Sequence, residues 1–122
     1  MKRQVAIVSL FFPLACFGAD MYRAPSAGDS GEYYILKQEA IEAGMFKVLS
    51  NRVGKGAAYT DFTELKVNCK SQQYFELAGG EADGKKMTPP SELMPRKNSK
   101  WVSLVPGSSK SDLVKFVCSK KK

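Results

Sequence analysis

The chain holds three cysteines, and the position of the first decides what the other two can do. Cys16 lies near the end of MKRQVAIVSLFFPLACFGAD. Lys2 and Arg3 form a basic start, Val5 to Ala15 is apolar apart from Ser9 and Pro13, and small residues follow. That order is the pattern of a secretory signal peptide. The apolar run is shorter than the roughly 20 residues of a spanning helix. Cleavage after Gly18 puts Cys16 and Gly18 at the small-residue positions and removes residues 1–18. In a second reading Cys16 is a lipidated N-terminus, preceded by Leu14 and Ala15, and the product is membrane-anchored. With the signal removed, Cys69 and Cys118 remain. An even cysteine count in an exported chain predicts a disulfide. It closes a loop of about 50 residues, which on chain-entropy grounds contributes about 4 kcal/mol. There is no CxxC pair for redox work. The chain has no histidine, and two cysteines leave too few good ligands for zinc. No metal or cofactor is predicted.

Removing residues 1–18 leaves about 104 residues, enough for one small domain with one core. It also lowers the formal net charge from +7 to +5, because Lys2 and Arg3 leave. Three of the remaining positive charges form the tail, Lys120 to Lys122. A basic balance fits either an anionic partner or a well-solvated surface. Export and the lack of any nucleic-acid-binding motif argue against nucleic acid. No second apolar run reaches spanning length.

Residues 19–31, ADMYRAPSAGDSG, are small, polar and punctuated by glycine and proline, and read as a mobile N-terminal segment. EYYILK starts with a short β-prone stretch. KQEAIEAG favours helix locally and reads as a single turn leading into the next strand, GMFKVLSNRV. VGKGAA is a turn. In YTDFTELKVNCK, Leu65, Val67 and Cys69 alternate with Glu64, Lys66 and Asn68, which predicts a strand with one buried face. QQYFELAGG is a further strand, followed by a hairpin-like turn at GGEADGKK and a return strand beginning near Met87. The prolines of TPPSELMPRKNSK predict a loop. KWVSLV is the last strand and delivers Trp101 and Leu104 to the core. Pro106-Gly107 then turns the chain, and Ser108 or Ser109 caps a helix. Leu113, Val114, Val117 and Cys118 make its apolar stripe, and the tail lysines suit the negative end of its dipole. The fold class is α+β: an antiparallel sheet with one C-terminal helix packed on it and one Cys69–Cys118 bridge.

VNCKSQQYF, a glycine-rich turn, KWVSLVPGSS and DLVKFVC together resemble the bacterial surface-adhesin protein E-like family. The positions that carry the likeness are Cys69, Tyr74, Trp101, Leu104, Pro106, Gly107, Ser108, Val117 and Cys118. The likeness extends over about residues 32–119. It implies export, a small sheet-plus-helix domain with a Cys–Cys bridge, and members that act as surface adhesins for host matrix and serum proteins. The matching residues have folding roles, so the likeness implies the fold more directly than the adhesion.

No catalytic residues are assigned. The usual base, histidine, is absent. Glu39 and Glu42 read as a solvated face, not an acid–base pair. SELM and SSKS lack the lysine of a β-lactamase-type serine site, and GKGAA lacks the Ser or Thr of a phosphate loop. A lone tryptophan on a terminal strand reads as core more than as a binding platform. Lys85, Lys86, Arg96, Lys97 and Lys100 are the candidate partner-binding surface. The chain is expected to be a non-enzymatic envelope protein at the periplasm or outer surface. It would bind a protein or an anionic polymer through that basic face. The alternative is a periplasmic inhibitor or immunity protein that inserts its proline-rich loop, Thr88 to Pro95, into a toxin or hydrolase. A structural accessory of an envelope complex is the third reading.

Overall fold

The computed structural model describes residues 19–119. The expected signal segment, with Cys16, and the tail at 120–122 lie outside them. The described residues form one antiparallel sheet and one α-helix, with a short 3-10 turn at Lys55–Ala57. The strands are β1 (Asp20–Arg23), β2 (Glu32–Glu42), β3 (Met45–Val53), β4 (Tyr59–Asn68), β5 (Gln73–Asp83), β6 (Met94–Pro95) and β7 (Val102–Ser103), followed by α1 (Ser109–Ser119). They lie in the order β1-β2-β3-β4-β5-β6, and β7 also pairs with β5. The fold is therefore α+β, with the Cys69–Cys118 disulfide in place.

The register sorts the side chains into two layers. Val48 lies opposite Leu65 and Phe46 opposite Val67. Tyr74 lies opposite Val67 on the next strand. These residues share the face on which Leu113, Val114 and Val117 of α1 pack, and Leu65, Val67 and the three helix residues are fully buried. Cys69 and Cys118 are partly buried against the same cluster. The other face is covered at its opposite end. There Asn51 lies opposite Phe62 and Val53 opposite Thr60, and all four are buried. The segment after β5 seals them. Thr60 Oγ1 donates to Gly84 O at 2.6 Å and accepts from Lys86 N at 3.0 Å. Asn51 Nδ2 donates to Lys86 O at 2.9 Å. The helix thus covers half of one face, and the segment after β5 covers the other half of the opposite face.

The helix start follows its sequence. Val105 O accepts from Ser108 N at 3.0 Å across the Pro106-Gly107 turn. Gly107 has φ 84, a left-handed conformation that glycine adopts without a Cβ clash. Ser108 is the capping serine: its Oγ accepts from Ser111 N at 3.1 Å.

Five expectations differ from the structure. The segment expected to be mobile contains β1, which pairs with Tyr33 to Ile35 of β2. Tyr22 packs between Tyr33 and Phe116, with ring centroids 5.7 Å and 6.5 Å away. Arg23 Nη1 donates to Gly107 O at 3.0 Å and Asp112 Oδ2 at 3.1 Å. KQEAIEAG is not a helical turn. It continues β2 through Glu42, because β3 supplies a full-length partner, and bulges absorb the register shifts between Ile35 and Lys37 and between Ala40 and Glu42. QQYFELAGG does not end at its glycines, since β5 runs on to Asp83. No return strand starts at Met87; the chain rejoins β5 at Met94–Pro95. Finally, Trp101 is not in the core. The last strand is only Val102–Ser103, and Trp101 is 36% exposed. Leu104 does reach the core, partly buried.

Candidate functional site

The candidate site is built on the outer edge of β5. Two short pairings hold the chain there. Pro95 pairs with Ala78, and Val102 pairs with Tyr74. Between them residues 96–101 bow outward, anchored by Arg96 N donating to Leu77 O at 2.9 Å. Asn98 lies at the tip with φ 63, a left-handed conformation that asparagine tolerates better than most residues. A groove of about 390 Å³ lies between this loop and the sheet, lined by Tyr74, Glu76, Arg96, Lys97, Asn98, Ser99, Lys100 and Val102.

Charge in the groove is one-sided. Glu76 is its only acidic lining residue. Arg96 Nε lies 3.8 Å from one Glu76 oxygen, and Lys110 Nζ from the first turn of α1 lies 3.8 Å from the other. Both contacts are long and partly exposed, so each is worth no more than about 1 kcal/mol. Lys97 and Lys100 are exposed and form no ion pair among the described residues. Tyr74 forms an aromatic floor, with Lys110 Nζ 5.8 Å from its ring centre. Burial, and then the charge of Glu76, push the Tyr74 hydroxyl above its usual titration range. It therefore stays a neutral donor at physiological pH. The arrangement suits an anionic ligand, with cations on the rim and a ring below.

The sequence-predicted basic residues divide into two groups. Arg96, Lys97 and Lys100 line the groove. Lys85 and Lys86 do not. Lys85 Nζ pairs with Glu32 Oε1 of β2 at 3.4 Å and lies 5.7 Å from the Tyr34 ring centre. Lys86 Nζ donates to Asp83 O at 2.8 Å. β2 lies three strands from β5, roughly 14 Å at normal strand spacing, so the five cations are not one patch. The hydrogen bond with Glu32 raises the Lys85 pKa. Hydrogen bonds from Tyr34 and then Lys85 lower that of Glu32.

Of the expected fold residues, Pro106, Gly107 and Ser108 turn the chain and cap α1. Trp101 instead lies beside the loop. Tyr74 lines the groove and Lys110 lies over its ring; neither is assigned to the site from sequence, because only the sheet order brings the first turn of α1 beside β5.

A second polar cluster fastens the N-terminal segment. Arg52 donates from Nε to Tyr33 OH at 2.9 Å, from Nη1 to Tyr59 OH at 2.8 Å and from Nη2 to Asp29 Oδ1 at 3.0 Å. Tyr33 OH donates to Asp29 Oδ2 at 2.6 Å, and Gly31 N donates to Oδ1 at 3.0 Å. The Tyr33 bond first, then those from Gly31 and Arg52, hold the Asp29 carboxyl well below the usual carboxylate range. All three Arg52 nitrogens are engaged, so this cluster reads as structural. Among the described residues no group of three or more His, Cys, Asp or Glu is placed to hold a metal ion. No helix among them is long and apolar enough to cross a membrane.

Comparison with protein-family profiles, with curated proteins and with solved structures finds no match for this chain.

Proposed function

We propose that the protein is an exported, non-enzymatic binding module of the cell envelope that engages an anionic polymer or an acid-rich protein surface through the groove on β5. The observation that carries this reading is the clustering of Arg96, Lys97 and Lys100 around the Tyr74 floor, with Glu76 the only carboxylate among the lining residues and Lys110 reaching both Glu76 and the Tyr74 ring from α1. Two features support it. The likeness of residues 32–119 to the adhesin E-like family points the same way. The Cys69–Cys118 bridge fits an oxidising compartment such as the periplasm or cell surface.

The inhibitor reading is the weaker one. It needs a protruding loop at Thr88 to Pro95, yet Pro90 and Leu93 lie against Gly80. A Cβ built on Gly80 would meet Leu93 Cδ2 at 3.0 Å and Pro90 Cγ at 3.5 Å. Those two side chains thus face the sheet, and the exposed part of the loop is confined to Thr88, Ser91, Glu92, Met94 and Pro95.

Retention on an immobilised polyanion tests the proposal. The triple variant R96E/K97E/K100E should elute at markedly lower salt than the wild type, because exposed charge contacts are screened by salt. K85E/K86E should elute close to the wild type. Equal retention of the triple variant and the wild type, or a greater loss in K85E/K86E, would remove the groove as the binding site.

A further inference from the structure

The loop that rims the groove ends on the only tryptophan in the chain, and the structure gives that residue a surface role the groove does not use. Trp101 lies on Phe75, with ring centroids 5.5 Å apart and planes at 56°. Phe75 is directly opposite Lys66 on β4, and Lys66 is opposite Lys47 on β3. By strand alternation this row lies on the face away from α1, whereas the neighbouring Tyr74 lies on the helix side. Lys66 Nζ is 5.3 Å from the Phe75 ring centre and 5.9 Å from that of Trp101. The edge of β5 therefore carries a cation beside an aromatic ring on each face: Lys110 with Tyr74, and Lys66 with Phe75 and Trp101.

We infer that Trp101, Phe75 and Lys66 form a sugar-binding subsite, and that the anionic ligand of the groove is an acidic polysaccharide. This rests on the groove reading of the preceding subsection. A pyranose ring has an apolar C–H face and a polar rim. A half-exposed indole backed by a second ring matches that face without requiring a closed apolar pocket. An ammonium against the same rings supplies charge complementarity for a carboxylate or sulfate on the stacked sugar. Poly-L-glutamate presents carboxylates on flexible stems and offers no ring face to stack on the indole.

Because Trp101 is the sole tryptophan, its fluorescence reports this subsite in the unmodified protein. A chain of residues 19–122 is titrated with oligogalacturonate and, separately, with poly-L-glutamate matched in charge. Oligogalacturonate should change the Trp101 emission and bind about tenfold more weakly to W101A, a difference of about 1.4 kcal/mol. Poly-L-glutamate should leave the emission unchanged and bind W101A as it binds the wild type. W101F, which keeps a ring, should fall between. Suppose both polymers bind and both are lost in R96E/K97E/K100E, but neither changes the emission and W101A binds both normally. The groove then stands, the sugar subsite is refuted and an acidic protein becomes the ligand. If neither polymer binds, both readings fail together.

Discussion

Removing the disulfide should cost this domain much of its stability, and the size of the loss follows from where the bridge sits. Cys69 follows β4, and Cys118 lies in the last turn of α1. They are 49 positions apart with Cα atoms 5.6 Å from one another. Without the bridge, the unfolded chain regains the freedom of a loop of about 50 residues, worth about 4 kcal/mol. Typical net stabilities are only about 5–15 kcal/mol. For a domain of this size about 1 kcal/mol corresponds to about 4–8 °C, so C69A/C118A should melt about 15–30 °C below the oxidised wild type. The assay is a thermal melt followed by far-UV circular dichroism, with and without reductant. Reductant should lower the wild-type midpoint toward that of C69A/C118A and leave the variant unchanged. A variant midpoint within about 5 °C of the wild type would refute the reasoning, because the bridge would then not restrict the unfolded chain. A wild type insensitive to reductant, paired with a strongly destabilised variant, would place the effect in lost packing around the two partly buried sulfurs.

Three further predictions follow from single side chains. Ser108→Ala removes the oxygen that accepts from Ser111 N and should lower stability by about 1 kcal/mol, read from urea denaturation; an unchanged midpoint would deny Ser108 its capping role. Asp29 titrates lower in the folded chain than in the unfolded one. Its stabilisation is therefore present above about pH 4 and lost as pH falls below that, so Asp29→Asn should be less stable than the wild type at neutral pH, and the gap between their melting temperatures should close as the solution is acidified. A constant gap would contradict the assignment. Trp101→Ala should destabilise far less than Leu113→Ala, a fully buried helix residue for which about 2–5 kcal/mol is expected; a Trp101 loss as large as that of Leu113 would put the indole back in the core.

The sequence made some elements plain for clear physical reasons. The alternation of Leu65 and Val67 marked β4. The stripe of Leu113, Val114 and Val117 marked α1. The two cysteines left once the expected signal segment is set aside marked the bridge. What stayed hidden depended on tertiary partners. β1 is four residues long and owes its order to Tyr22 and Arg23, which reach α1 far along the chain. KQEAIEAG favours helix locally, but the β3 ladder outweighs that preference. β4 buries Thr60 and Phe62 on one face and Leu65 and Val67 on the other, because the helix and the segment after β5 cover different halves of the sheet. A pattern read for one buried face cannot show that division. The candidate site was legible in part. Arg96, Lys97 and Lys100 stand out as charge; Lys85 and Lys86 are equivalent to them in sequence but are anchored on Glu32 and Asp83. Gly79 and Gly80 read as a turn, yet they lie inside β5. A Cβ on Gly79 would collide with the Arg96 guanidinium, so glycine there lets the groove's arginine lie across the strand.

The most direct test of the central claim is to map backbone amide shifts by two-dimensional NMR as a chain of residues 19–122 is titrated with a soluble polyanion. The largest changes should fall on Tyr74, Glu76, residues 96–102 and Lys110, and should fade as salt is added. Changes centred on Lys85, Lys86 and the end of β5, or spread evenly over every exposed lysine, would contradict a binding groove on the β5 edge.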